Sequence, residues 1–144
     1  RMSKLYVALD EIPDEDKAIS YGQDDSYTDM TIVSWGSTKG AILDAIDRLE
    51  LEGKKINFIQ IRLMHPFPTV LIKKMLETTK VLIDIEMNYT SQLGLLISQN
   101  LNREVDYKIV KYNGRPMSSS EVYNALMHII TGKASRRIVL EHGT

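Results

Sequence analysis

Four short stretches hold most of the side chains capable of chemistry. Gly36-Ser37-Thr38-Lys39-Gly40 places two hydroxyls and an amine at the start of a predicted helix. Free backbone N–H groups and the helix dipole could hold an anion there. The spacing fits neither a Walker A loop nor a dinucleotide fingerprint, so a plain turn and cap is the competing reading. Arg62-Leu63-Met64-His65-Pro66-Phe67-Pro68 carries a guanidinium and a lone imidazole in a loop stiffened by two prolines, either of which could be cis. His65 has no neighbouring carboxylate or second histidine in sequence, which is a poor setting for acid–base work. Glu86-Met87-Asn88-Tyr89-Thr90-Ser91-Gln92 offers a carboxylate. That carboxylate could take N–H bonds from a helix start, meet another subunit or act as a base. Asp84 interrupts an apolar run, and three roles are open to it: a place near a sheet edge, a lysine partner, or a surface facing another protein. Asn88-Tyr89-Thr90 matches a glycosylation acceptor, incidental in a chain expected to be cytoplasmic. Asn113-Gly114-Arg115-Pro116 is a turn presenting an arginine suited to carboxylate or phosphate. The candidate ligand- or partner-facing residues are Ser37, Thr38, Lys39, Arg62, His65, Glu86, Asn88, Gln92 and Arg115. They form no nucleophile–base pair, metal ligand set or phosphate cradle, so no catalytic, cofactor-binding or metal-binding residue is assigned.

These stretches fall between alternating predicted strands and helices. Residues 31–35, 56–61, 81–85 and 107–111 are β-rich runs, and 138–140 could add a fifth strand. Residues 38–52, 69–79, 92–100 and 118–130 show helical periodicity. In 38–52, Ala41, Ile42, Ala45, Ile46 and Leu49 share one face, with Asp44, Asp47, Arg48 and Glu50 opposite. Strand–helix alternation predicts an α/β fold: a mostly parallel sheet of about five strands with helices on both faces. In such folds ligands and partners gather at the carboxyl ends of the strands. The four chemical stretches sit at those ends.

Composition narrows the classes further. The 144 residues are 43% hydrophobic and 26% charged, which is globular rather than disordered. Cysteine is absent, excluding a disulfide scaffold, a thiolate metal site and a cysteine nucleophile. A net charge of -1 makes no electrostatic case for nucleic acid or an anionic membrane, and no apolar run approaches a membrane span. Residues 1–30 hold three basic and eight acidic residues, and the remainder holds fifteen and eleven. The acidic stretch reads as a linker from something upstream or as a frayed terminus. Leu5, Leu9 and Ile12 give it a short helix that Pro13 ends, 17–21 is a short extended piece, and 22–29 is a polar loop. Arg1 in place of an initiator methionine suggests a fragment. The expected organisation is 1–30 linker, 31–131 α/β domain and 132–144 tail.

Four motifs occur in order: Val33-Ser34-Trp35-Gly36-Ser37-Thr38-Lys39-Gly40, Phe58-Ile59-Gln60-Ile61-Arg62-Leu63-Met64-His65-Pro66-Phe67-Pro68, Glu86-Met87-Asn88-Tyr89-Thr90-Ser91-Gln92-Leu93 and Lys111-Tyr112-Asn113-Gly114-Arg115-Pro116-Met117. From about residue 31 to about 130 the chain resembles the C-terminal domain of the alpha subunit of 2-oxoacid:ferredoxin oxidoreductases. That domain is similar to the transketolase C-terminal domain. Ser91 stands where the family usually has Gly, and Asp84 where it usually has an aliphatic residue. The resemblance implies a holoenzyme that oxidatively decarboxylates a 2-oxoacid to an acyl-CoA and passes electrons to ferredoxin. It implies thiamine diphosphate, Mg, an iron–sulfur cluster and coenzyme A, with none held by this chain. The expected partners are an upstream alpha-subunit domain and the beta subunit, with ferredoxin reached through the complex. The domain itself is then a non-catalytic interface element, inactive alone. Two alternatives stand beside this: a free-standing small-anion or nucleotide binding module, and a transketolase-type dehydrogenase with a NAD-linked partner.

Overall fold

The computed structural model describes residues 2–22 and 30–141. Arg1 and most of the expected 22–29 loop lie outside them. The strands are β1 (Ala18–Tyr21), β2 (Met30–Ser34), β3 (Asn57–Ile61), β4 (Val81–Glu86), β5 (Tyr107–Val110) and β6 (Arg137–Val139). The helices are α1 (Met2–Glu11), α2 (Asp14–Lys17), α3 (Lys39–Leu51), α4 (Thr69–Met75), α5 (Gln92–Leu101) and α6 (Ser119–Ile130), with a 3₁₀ turn at Gly36–Thr38. One sheet runs in the order β1-β3-β2-β4-β5-β6. All pairings are parallel except β1 with β3, which is antiparallel.

The expected α/β sheet is present, with six strands where about five were predicted. The additional strand is β1, inside the stretch read as a linker. It pairs Ala18 with Ile61 and Tyr21 with Phe58, and the Tyr21 and Phe58 rings stack at 5.5 Å. An acidic segment therefore delivers an edge strand, and the sheet extends to the N-terminal side of residue 30. The predicted strand at 138–140 is β6, set one residue earlier.

Alternation along the buried strands feeds two cores. Ile32, Phe58, Ile83, Ile85 and Ile109 face α3 and α6, which supply Ile42, Ala45, Leu49, Val122, Leu126 and Ile129. Val33, Ile59, Ile61 and Leu82 face the other way, toward Ile72 at α4 and Leu93 and Ile97 on α5. Helices thus cover both faces. Each fully buried Ile or Leu contributes roughly 1.5–3 kcal/mol of transfer free energy, so these two layers dominate the driving force.

Local chemistry fixes the helix ends. Ser118 and Glu121 form a reciprocal capping box at the start of α6, satisfying two otherwise orphaned N–H groups. Glu121 also meets Lys111, whose Nζ donates to Glu121 Oε1 at 2.7 Å and to the Pro116 carbonyl at 2.9 Å. Lys111 is fully buried, and this clamp ties the 112–117 turn to α6. Arg103 donates to the Leu76 and Thr79 carbonyls, closing the turn after α4.

Candidate functional site

Strand order determines where the chain's chemistry gathers. From β2 the chain passes through α3 to β3 on one side, and β4 then returns to the other side of β2. The connections leaving β2 and β4 go to opposite faces, α3 to one core and α5 to the other. Between their carboxyl ends lies the topological switch point, the usual ligand crevice of doubly wound sheets. Trp35 follows β2 and Glu86 ends β4. Here the two are joined: Trp35 Nε1 donates to Glu86 Oε1 at 2.7 Å.

Glu86 is fully buried and its carboxylate is surrounded by donors. Oε1 also accepts from Asn88 Nδ2 at 2.9 Å and from the Leu93 amide at 3.0 Å. Oε2 accepts from the Leu93 amide at 2.9 Å and the Gly94 amide at 3.3 Å. Those amides open α5, whose N-cap residue Ser91 makes no side-chain cap bond. A carboxylate from the neighbouring strand takes that place, at the end of the helix where negative charge is favoured. Among the roles open to Glu86 in sequence, the bond to a helix start is formed. Burial works against its charged form, but the bonds from Asp84, Leu93, Trp35 and Asn88 outweigh it and hold the carboxyl below its usual range.

Asp84 lies two residues earlier on the same face of β4, fully buried. None of its three sequence-level roles is realised. It sits in a central strand rather than near an edge, and Lys108, its register neighbour on β5, makes no ion pair with it among the described residues. Its Oδ2 accepts from the Ser91 hydroxyl, and its Oδ1 has no donor. Burial, then the hydrogen bond with Glu86 and the Glu86 charge, push the Asp84 carboxyl well above its usual range; Ser91 and the Gly94 amide pull the other way. Ser91 holds a left-handed backbone at φ 56°. Gly94 is needed beneath it: a Cβ there would stand 2.7 Å from Ser91 Oγ and 3.0 Å from Asp84 Oδ2.

The nine candidate residues divide by place. Glu86, Asn88 and Gln92 come together, the Gln92 amide donating to Asn88 Oδ1 at 3.3 Å. Thr38 is turned inward against the Ser34 hydroxyl, while Ser37 is exposed. Lys39 lies over the Tyr21 ring at 5.1 Å, toward the edge strand. Arg62 donates to the Glu15 carbonyl at 3.1 Å. His65 is exposed before a cis bond to Pro66. Arg115 is exposed on its turn. Sequence reasoning missed Trp35 as a partner of Glu86, though it stood inside a quoted motif. It also missed Tyr89 and Tyr112, which are 61% and 48% exposed and meet edge to face at 5.0 Å. Arg137 of β6 lies 4.7 Å over the Tyr89 ring and donates to the Tyr89 carbonyl at 2.5 Å.

The family model described as pyruvate:ferredoxin oxidoreductase core domain II matches residues 28–122. The chain belongs to this family. It is 43% identical over 143 residues to a 2-oxoacid:ferredoxin oxidoreductase subunit alpha from Saccharolobus solfataricus, covering 99% of this chain and 22% of that relative. A solved 2-oxoglutarate:ferredoxin oxidoreductase from Magnetococcus marinus, with 2-oxoglutarate, coenzyme A and succinyl-CoA bound, superposes with a TM-score of 0.77 at 26% identity. That match covers 90% of this chain and 22% of the other. A split-gene transketolase, described as an inactive beta4 tetramer, shares the fold at a TM-score of 0.64 and 18% identity, over 83% of this chain and 44% of that one. The chain thus spans about a fifth of the length of the curated relatives it matches. Among the described residues no group of three or more His, Asp or Glu side chains is placed to hold a metal ion. Without cysteine the chain has no thiolate for an iron–sulfur cluster. No helix among the described residues is long and apolar enough to cross a membrane.

Proposed function

We propose that this chain is a non-catalytic interface domain of a thiamine-diphosphate-dependent 2-oxoacid:ferredoxin oxidoreductase in the cytoplasm. In this reading the holoenzyme converts a 2-oxoacid and coenzyme A to an acyl-CoA and passes electrons to ferredoxin. The residues that hold thiamine diphosphate with Mg, coenzyme A and the iron–sulfur cluster belong to other parts of the assembly. The domain packs against the rest of its own alpha subunit and against the beta subunit.

The observation that carries the reading is the state of the strand-end rim. Its crevice is filled by the chain's own Glu86 carboxylate, while its outer surface presents an exposed Tyr89–Tyr112 pair with Arg137 beside it. Aromatic and arginine side chains on a rigid base are typical of the anchors that protein surfaces bury against one another. The inward Thr38 and the sideways Lys39 leave the small-anion alternative without a comparable support.

The test uses surface positions whose loss spares the core. Tyr89→Ala combined with Arg115→Ala in the full enzyme is expected to weaken co-elution with the other subunits and lower 2-oxoacid-dependent viologen reduction. Unchanged assembly together with an unchanged rate would overturn the interface role.

A further inference from the structure

Two carboxyl groups share one buried site above the start of α5, and their hydrogen-bond supplies are unequal. Glu86 receives four N–H donors on its two oxygens. Asp84 receives one hydroxyl, from Ser91, and its Oδ1 receives nothing. Two adjacent anions without a compensating cation are strongly disfavoured in a buried site. Among the described residues no cation pairs with either carboxyl. Val33 of β2 is its neighbour on one side and Lys108 of β5 on the other, and the Lys108 ammonium forms no ion pair with it among the described residues. At the start of α5 the Ser91 hydroxyl and Gly94 approach it, and neither is titratable. Glu86, two residues along the same strand face, is the charged group acting on it. An Asp84 oxygen without a donor is accommodated when it carries its own proton, because it can then donate to the neighbouring carboxylate.

We propose that Asp84 is held as a carboxylic acid that donates its proton to the Glu86 carboxylate, and that this proton is a pH-sensitive latch fastening the start of α5 to β4. The latch regulates the rim that the interface reading relies on, so its functional consequence rests on that reading. Its protonation and its hold on α5 are properties of this chain alone.

Loss of the proton leaves two negative charges against one helix end. Leu93 and Gly94, the amides bound to Glu86, then release, and the Ser91 turn loosens with them. Linkage fixes the direction. Asp84 returns to an ordinary aspartate when α5 lifts, so the folded group holds its proton to higher pH than the released one. Between the ordinary aspartate range and the pH at which Asp84 titrates in the fold, α5 opening becomes about tenfold more favourable per pH unit. Below that window Asp84 adds no pH dependence, and Glu86, held below its usual range by the same amides, makes opening more favourable as pH falls through its own titration.

The test is a carbon-13 titration of the Asp84 and Glu86 carboxyl carbons, with amide hydrogen exchange in the wild-type chain and in Asp84→Asn. Asp84 is expected to show a protonated carboxyl shift at neutral pH while Glu86 shows an ionised one. Protection of the Leu93 and Gly94 amides, taken as the ratio of wild type to Asp84→Asn, is expected to fall about tenfold per pH unit through that window. An ionised Asp84 at neutral pH, or a ratio flat with pH, overturns the latch. The wild-type titration decides the protonation state even where the variant folds poorly. Failure of the interface reading is read separately, from assembly of the Tyr89→Ala/Arg115→Ala enzyme.

Discussion

Replacing Glu86 by Gln removes one charge and one acceptor from a site that uses both. The amide can keep its carbonyl oxygen at the Oε1 position, where Trp35, Asn88 and Leu93 donate. Its NH₂ then occupies the Oε2 position and faces the Gly94 amide, donor against donor. Three retained bonds fall from charge-assisted to neutral strength, a loss of about 1 kcal/mol each, and the stranded Gly94 donor adds about 1–3 kcal/mol. The expected total is about 4–6 kcal/mol, a large part of the roughly 5–15 kcal/mol that holds a domain folded. With a denaturant slope of about 2 kcal/mol/M, the urea midpoint should drop by roughly 2–3 M. The chain has a single tryptophan, and Trp35 is bonded to the mutated group. Its emission therefore reports both the unfolding curve and, before the transition, the altered site. A midpoint shift below about 0.5 M would refute the view that Glu86 is the cap of α5.

Three further outcomes follow from neighbouring features. Gly94→Ala should destabilise by roughly 1–3 kcal/mol through overpacking against Ser91 and Asp84, despite alanine's better helix propensity. Ser91→Gly in the same chain should recover part of the loss by removing the clashing hydroxyl, as thermal melts of the single and double variants would show. Lys111→Met should cost about 3–5 kcal/mol in urea unfolding, because it leaves Glu121 without its cation, while Lys111→Met with Glu121→Gln should cost less than the single change. Glu86 and Glu121 are both held below the usual glutamate range. The stability they contribute is therefore present above that range and is lost as pH falls through their folded values. Urea midpoints measured down an acid series should decline more gently in a Glu86→Gln background.

Much of the fold was legible because its signals are periodic. Apolar residues at helical spacing in α3 and α6, and near-continuous apolar runs in β3 and β4, are set by which faces must leave water. β1 was harder to see as part of the sheet. Ala18, Ile19, Ser20 and Tyr21 show no strong alternation, and the strand exists because β3 presents an open edge. The site was legible only as a place. Strand ends could be read off the chain, but Trp35 and Glu86 are 51 residues apart, and strand order alone brings them together. Asp84 was harder still. A lone carboxylate in an apolar run reads as exposed or salt-bridged, whereas its hydrogen-bond donor, Ser91, lies across a turn at the N-cap of the next helix.

The Glu86 carboxylate at the switch point also changes what kind of competitor the crevice admits. A helix start between diverging connections is ordinarily vacant for a solute, and occupancy depends on how much of that solute is present. Here the occupant is covalently part of the chain, delivered by β4 with an effective concentration far beyond that of any dissolved anion. A phosphate or free carboxylate would have to evict a group that cannot diffuse away. The start of α5 is thus occupied from within the chain, by the Glu86 carboxylate on the Leu93 and Gly94 amides.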